Sequence, residues 1–122
     1  MRTNERARRA VSYSKRLPVD PHMSYILFYR VWASDTGAYA GKEFYDEKGL
    51  RLFFNRYRPN ERECHWEYSI DYFTPPERAR HMTVFLALEG PSAVAWFDEI
   101  LLAPIPVISD IGVPQDTFSA PQ

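Results

Sequence analysis

The segment that decides the fold is residues 24–34, which read SYILFYRVWAS. Its side chains fall into two series with a period of two, which is the spacing of a β-strand. The first series is Tyr25, Leu27, Tyr29, Val31 and Ala33, and the second is Ile26, Phe28, Arg30 and Trp32. Because both series contain large apolar groups, we predict a central strand, or one whose second face is covered.

Outward from this strand, the chain consists of short alternating segments separated by turns. We predict further strands over residues 11–17, 42–45, 50–57, 65–73, 80–88 and 93–102. Residues 46–49, Asp-Glu-Lys-Gly, form the loop of a predicted β-hairpin. Ten prolines and five glycines interrupt the chain, and no long segment keeps a helical period. The predicted fold class is therefore all-β, an antiparallel β-sandwich or jelly roll.

Length and composition describe one small globular domain. The chain has 122 residues, 45% of them hydrophobic, and a formal net charge of −1. This balance gives no general attraction for nucleic acid, and no apolar run reaches the roughly 20 residues of a membrane span. We expect a basic arm over residues 1–10, a β-sandwich over 11–103 and a proline-rich tail over 104–122. The arm is interpreted as solvated, with contact to an acidic partner as the alternative.

Several segments resemble carbohydrate-binding modules with a galactose-binding-like jelly roll. Residues 25–32 resemble the family's Y-x-L-x-x-x-V strand, and residues 45–49 resemble its Y-D-x-x-G hairpin. Trp66, Phe73 and Pro76 match its W-x(6)-F-x-x-P pattern. Residues 84–90 and 95–102 resemble its closing strands, V-x-L-x-x-x-G and A-x-F-D-[DE]-[VI]-x-L. The order and spacing of these segments carry the resemblance.

The resemblance implies a non-catalytic module that binds a polysaccharide or oligosaccharide, in an extracellular or cell-surface setting. No signal peptide is recognised in this chain. Only 24 residues precede Tyr25, so we expect the family's opening strands to be shortened or missing. In the family, that opening segment and the aspartate matching Asp98 hold a structural calcium ion. Asp98 is therefore a candidate metal ligand, although a hydrogen-bonding role at a strand end is the preferred interpretation.

The second series of the first strand provides a candidate sugar-binding face. Aromatic rings stack on the CH faces of sugars, and arginine donates hydrogen bonds to hydroxyls or carboxylates. We expect further residues on the corresponding faces of other strands. The candidate ligand-binding residues are Phe28, Arg30, Trp32, Asp71, His81 and Phe85. The alternative is that these aromatics pack under loops or under the tail.

Trp66 and Trp96 are predicted to lie in the core, because Trp66 belongs to the apolar series of its strand and the family pattern gives both a structural role. Adjacent strand residues point to opposite faces. Asp98 and Glu99 are therefore expected to diverge.

Two alternatives to a sugar-binding module stay open. The first is a structural or assembly domain, whose open edge or second apolar face pairs with another chain. We expect a homodimer, because prolines disfavour a long strand in the tail that could cover the sandwich. The second is a small metal-dependent jelly-roll enzyme acting on polysaccharide, although His22, His65 and His81 form no recognised metal motif.

Overall fold

The computed structural model describes residues 1–52 and 57–105. These residues form eight strands: β1 (Arg9–Tyr13), β2 (Leu17–Pro18), β3 (Ser24–Ala33), β4 (Ala38–Tyr45), β5 (Arg51–Leu52), β6 (Trp66–Phe73), β7 (His81–Glu89) and β8 (Ala95–Ile105). The described ranges contain no helix, and hence none long and apolar enough to cross a membrane. The predicted all-β fold class is confirmed.

The strands form two antiparallel sheets that pack face to face. The five-stranded sheet has the order β1-β7-β4-β5, and β2 pairs with β7 beside this path. The three-stranded sheet has the order β6-β3-β8. β3 is therefore the central strand of its sheet, as residues 24–34 predict.

The core lies between the two sheets. Leu27, Tyr29 and Val31 of β3 are buried there, so the first series of residues 24–34 faces inward. Met82 and Leu88 of β7 are buried in the same cluster. This apolar cluster joins the two sheets and leaves the second series of β3 on the opposite side.

Strand boundaries differ from the prediction at several places, and β4 begins at Ala38, four residues before its predicted start at residue 42. Residues 11–17 do not form one strand, because β1 ends at Tyr13 and β2 begins at Leu17. Between them, the Val84 amide donates to the Ser14 hydroxyl at 3.0 Å instead of to a backbone carbonyl. β8 continues to Ile105, past the predicted end at residue 102.

The predicted hairpin is present where β4 pairs with β5. The Asp46 carboxylate accepts hydrogen bonds from the amides of Lys48 and Leu50, each at 2.9 Å. Gly49 takes a φ of 83°, which glycine adopts at little cost. Part of the predicted second strand of the hairpin, residues 53–56, lies outside the described residues, as does the predicted tail beyond residue 105.

The first residues of the chain run beside the start of β8. The Met1 amino group donates to the Ala95 carbonyl at 3.0 Å, and the Thr3 amide donates to the Ala93 carbonyl at 2.9 Å. The arginines of residues 1–10 are exposed.

Candidate functional site

The three-stranded sheet presents one face to the core and the other to solvent. We call the solvent side the outer face. Its residues come from positions that are paired across the strands: Ile26, Phe28, Arg30 and Trp32 of β3; Trp66, Tyr68, Ile70 and Tyr72 of β6; and Trp96, Asp98, Leu101 and Ala103 of β8. The face thus combines a large apolar surface with a charged centre.

One line of paired positions across the outer face consists entirely of tryptophan. Trp32 on the central strand pairs with Trp66 on one side and with Trp96 on the other. We call these three residues the indole row, and they are all the tryptophans of the chain. Trp66 is 45% exposed and Trp96 is 61% exposed. The indole row is therefore an aromatic strip that a ligand can reach from solvent.

The prediction that Trp66 and Trp96 are core residues is wrong. Directly paired residues of antiparallel strands point to the same side of a sheet, so both tryptophans share the side of Trp32. The orientation of β6 is the reverse of what its composition suggests. Its aromatic and isoleucine series faces solvent, while Glu67, Ser69 and Asp71 face the other sheet.

A charged cluster lies next to the indole row. The Arg30 guanidinium stacks on the Trp66 ring, with its central carbon 4.3 Å from the ring centroid. Its Nη1 lies 3.5 Å from Asp98 Oδ2 and 3.7 Å from Glu99 Oε2. Arg30 Nε is buried and has no hydrogen-bond partner among the described residues. Aromatic stacking and two carboxylates together fix the guanidinium at the centre of the face.

The expectation that Asp98 and Glu99 diverge is wrong because β8 has an irregularity at this point. The register between β3 and β8 shifts between Phe28 and Arg30, and Glu99 has a φ of 54°. This bulge inserts one residue and turns Glu99 back toward the side of Asp98. Both carboxylates therefore reach the same guanidinium.

The remaining outer face is mainly apolar. Phe28 pairs with Ile70 and Leu101, and Ile26 pairs with Tyr72 and Ala103. We call these two lines the apolar rows. They offer contact area but few hydrogen-bonding groups.

The predicted site residues do not all lie together. Phe28, Arg30 and Trp32 share the outer face, as predicted, and Asp98 lies beside Arg30. The expectation that the other three occupy a corresponding face is wrong. Asp71 faces the space between the sheets, whereas His81 and Phe85 belong to β7 of the other sheet.

Phe85 is buried on the far side of the five-stranded sheet, in an aromatic cluster. Its ring packs edge-on against Tyr57, whose ring stacks on Tyr39 at 4.6 Å. The Tyr39 hydroxyl donates to Glu89 at 2.6 Å. Burial is the main cause that raises the pKa of Tyr39 above its usual value, and this hydrogen bond is the second. Arg9 acts in the opposite direction. Phe85 is therefore a packing residue of this cluster.

The residues around Asp98 do not fit the calcium ion that the resemblance implies. Calcium requires about six to eight oxygen ligands, but Asp98 faces the cation of Arg30. Within residues 1–52 and 57–105, no group of three or more His, Cys, Asp or Glu side chains is arranged to hold a metal ion. The metal-dependent alternative gains no support from these residues.

A concave region lies between the sheets, beside β6. We call it the inter-sheet cleft. It has a volume of about 480 Å³, and Leu27, Tyr29 and Val31 form its floor. Ser69 and Asp71 line its β6 wall. Beside it, the Lys42 ammonium donates to Asp71 Oδ2, and the lysine side chain is only 4% exposed.

Sequence reasoning missed Trp66, Trp96, Tyr68 and Glu99 as outer-face residues. One signal was available: Lys42 lies in phase with Ala38, Ala40 and Phe44 of β4, which are buried. A lysine in an apolar series indicates an interior carboxylate partner. Such a partner on β6 would have oriented the polar series of that strand inward.

No family model, curated protein or solved structure matches this chain. The resemblance to carbohydrate-binding modules therefore depends on the sequence segments alone.

Proposed function

We propose that the protein is a non-catalytic module that binds a polysaccharide across the indole row. The supporting observation is the alignment of three tryptophans in one line beside a charged cluster, with Trp66 and Trp96 exposed and Trp32 half-buried between them. Indole rings supply flat surfaces for the CH faces of sugar rings. Neighbouring strands lie about 4.8 Å apart, so the row extends over roughly 10 Å and can contact more than one sugar ring.

The charged cluster favours a hydroxyl-rich ligand over a dry protein partner. The side chains of Asp98 and Glu99 are 56% and 52% exposed, so water solvates both. Covering them with an apolar surface would remove that water and cost free energy. Sugar hydroxyls can replace the water as hydrogen-bond donors, and they can also accept from Arg30.

The test measures retention on insoluble cellulose and chitin, and migration in gels containing soluble xylan, β-glucan or galactomannan. Trp96→Ala and Trp66→Ala should each weaken binding by about 1–3 kcal/mol, which is roughly 5- to 150-fold, because each removes one stacking ring. Tyr72→Ala is the matched control, since Tyr72 is an exposed aromatic of the same face outside the indole row. Circular dichroism verifies that each variant keeps its β structure.

Two results would refute the proposal. One is that none of these polysaccharides retains or retards the parent protein. The other is that Trp96→Ala and Tyr72→Ala lose the same amount of binding, since a general loss of exposed aromatic surface would then explain both.

A second candidate function, homodimer assembly, is favoured by the size of the exposed apolar surface. Trp66, Tyr68, Tyr72 and Trp96 are each between 45% and 67% exposed. At roughly 200 Å² per aromatic side chain, they alone expose about 500 Å². With Ile70 and Leu101 added, the outer face exceeds the largest patch of a typical monomer, about 300–600 Å².

Light scattering at micromolar concentration separates the two functions. Assembly is favoured if the parent is a dimer, Ile70→Lys makes it monomeric, and this monomer binds no polysaccharide. Polysaccharide binding is favoured if the monomeric protein binds and loses affinity through Trp96→Ala.

A further inference from the structure

The inter-sheet cleft has a wall chemistry unlike that of the outer face, although β6 contributes to both. Because side chains alternate along a strand, β6 directs Tyr72 to the outer face and Ser69 and Asp71 toward the cleft. The indole row is therefore not required for anything that binds in the cleft. The cleft can be tested as a site of its own.

Several polar groups in the cleft have unused hydrogen-bonding capacity. Ser69 forms no side-chain hydrogen bond with any residue that the structure describes. The buried Tyr29 hydroxyl accepts from the Ala40 amide at 3.2 Å, but no described residue accepts its proton. Tyr29 and Ser69 are directly paired in the sheet. The Tyr29 hydroxyl thus reaches β4 of the opposite sheet, whereas the Ser69 hydroxyl lies on the β6 wall. Both can form a hydrogen bond with a polar ligand.

Asp71 adds a carboxylate to the same wall. Its Oδ2 accepts from the buried Lys42 ammonium, while the side chain as a whole remains 41% exposed. Oδ1 accepts no hydrogen bond from the described residues. The lysine thus anchors one oxygen and leaves the other accessible. A fixed carboxylate oxygen on the same wall as the Ser69 hydroxyl is suited to neighbouring hydroxyl groups of a ligand.

The floor of the cleft is apolar, which completes the requirements for a sugar ring. Leu27, Val31 and Ala40 close its bottom; they are 1%, 2% and 8% exposed, so they offer ring carbons only a small apolar surface. The volume of about 480 Å³ falls within the usual range of small-molecule sites, about 300–1,000 Å³. We infer that the inter-sheet cleft is a second binding site, which takes a single monosaccharide or a similar cyclic polyol.

This inference does not depend on the proposed function of the indole row, and one experiment distinguishes the two sites. Uniformly ¹⁵N-labelled protein is titrated with D-glucose, D-galactose or N-acetyl-D-glucosamine at millimolar concentration, and amide and indole resonances are followed by NMR. We expect saturable shifts of the Ser69 and Asp71 amides with at least one sugar. The three indole N–H resonances should stay unchanged, because they report on the outer face.

Variants then test the assigned contacts. Ser69→Ala removes one hydrogen-bonding group and leaves the Lys42–Asp71 pair intact, so it should weaken binding by roughly 2- to 12-fold. Asp71→Asn should weaken it at least as much, and Tyr72→Ala, on the opposite side of the same strand, should bind as the parent does. The inference is overturned if none of the three sugars shifts the Ser69 and Asp71 amides. It is also overturned if only indole resonances shift, or if Ser69→Ala binds with unchanged affinity.

Discussion

The ion pair between Lys42 and Asp71 should respond asymmetrically to removal of its two partners. The lysine side chain is 4% exposed, whereas the aspartate side chain is 41% exposed. Lys42→Met removes a buried charge, keeps most of the aliphatic volume and leaves a carboxylate that water can solvate. Asp71→Ala instead removes the carboxylate and leaves a buried ammonium, which also lies 4.6 Å from the Phe73 ring centroid.

The magnitudes follow from this difference in burial. Removing one partner of a buried pair costs about 3–5 kcal/mol when the remaining charge stays buried. Asp71→Ala should therefore lower the free energy of unfolding by about that amount. Replacing a buried charge with an apolar side chain of similar volume is often neutral or stabilising, so Lys42→Met should change stability by less than about 1 kcal/mol. At about 4 °C per kcal/mol for a chain of this size, Asp71→Ala should lower Tm by roughly 12–20 °C.

Urea unfolding followed by far-ultraviolet circular dichroism measures these differences, since the exposed tryptophans are a poor probe of the core. The double variant with Lys42→Met and Asp71→Ala is the control, and it should recover nearly the stability of Lys42→Met. Equal losses in the two single variants would refute the argument from burial. So would a double variant no more stable than Asp71→Ala.

Two further predictions concern the aromatic cluster around Phe85 and the hairpin turn at Asp46. Gly41→Ala should cost about 1–3 kcal/mol in urea unfolding, because its Cβ would lie 2.5 Å from Phe85 Cζ and 2.9 Å from Tyr57 Cδ1; unchanged stability would mean that both rings can move away. Hydrogen bonds from the Leu50 and Lys48 amides, with the charge of Arg78, hold the pKa of Asp46 below its usual value. Its contribution is present above the unfolded value of about 3.9 and is lost as pH falls through the lower folded value. Asp46→Asn should therefore lower the urea midpoint at neutral pH and match the parent more closely in acid, and a difference that stays constant with pH would contradict this.

The face of β3 that points to the core was predictable from the composition of its two alternating series. Leu27 and Val31 alternate with residues that include Arg30, so the side with only apolar and tyrosine residues is the better core face. The same rule fails for β6. A period of two identifies residues that share a face, but it does not state which face is buried.

Pairing with β3 resolves the orientation of β6. Ser69 lies opposite Tyr29 and Asp71 lies opposite Leu27, and directly paired residues share a side of the sheet. Because Tyr29 and Leu27 face the core, the polar residues of β6 must face inward too. The aromatic series then has only the solvent side left. This orientation depends on register between segments more than 30 residues apart, which local patterns do not contain.

The sheet to which β7 belongs was the second feature that local sequence patterns did not predict. His81 and Phe85 alternate in a β-rich segment, and nothing local indicates which sheet that segment joins. β7 pairs with β1, β2 and β4, which moves both residues to the far side of the sandwich. His81 and Phe85 therefore do not lie with the other predicted site residues, although the strand that contains them was correctly predicted.

The bulge at Glu99 links the packing of the core to the composition of the outer face. Before it, Trp96 and Asp98 point outward; after it, Leu101 points outward and Leu102 packs on the core opposite Leu27. Uninterrupted alternation from Trp96 would have turned Leu102 to solvent and Leu101 to the core. One residue with positive φ thus keeps a leucine in the core and brings a second carboxylate to Arg30. The charged cluster beside the indole row is therefore a consequence of how β8 fits the core, and any change that removes the bulge must alter both together.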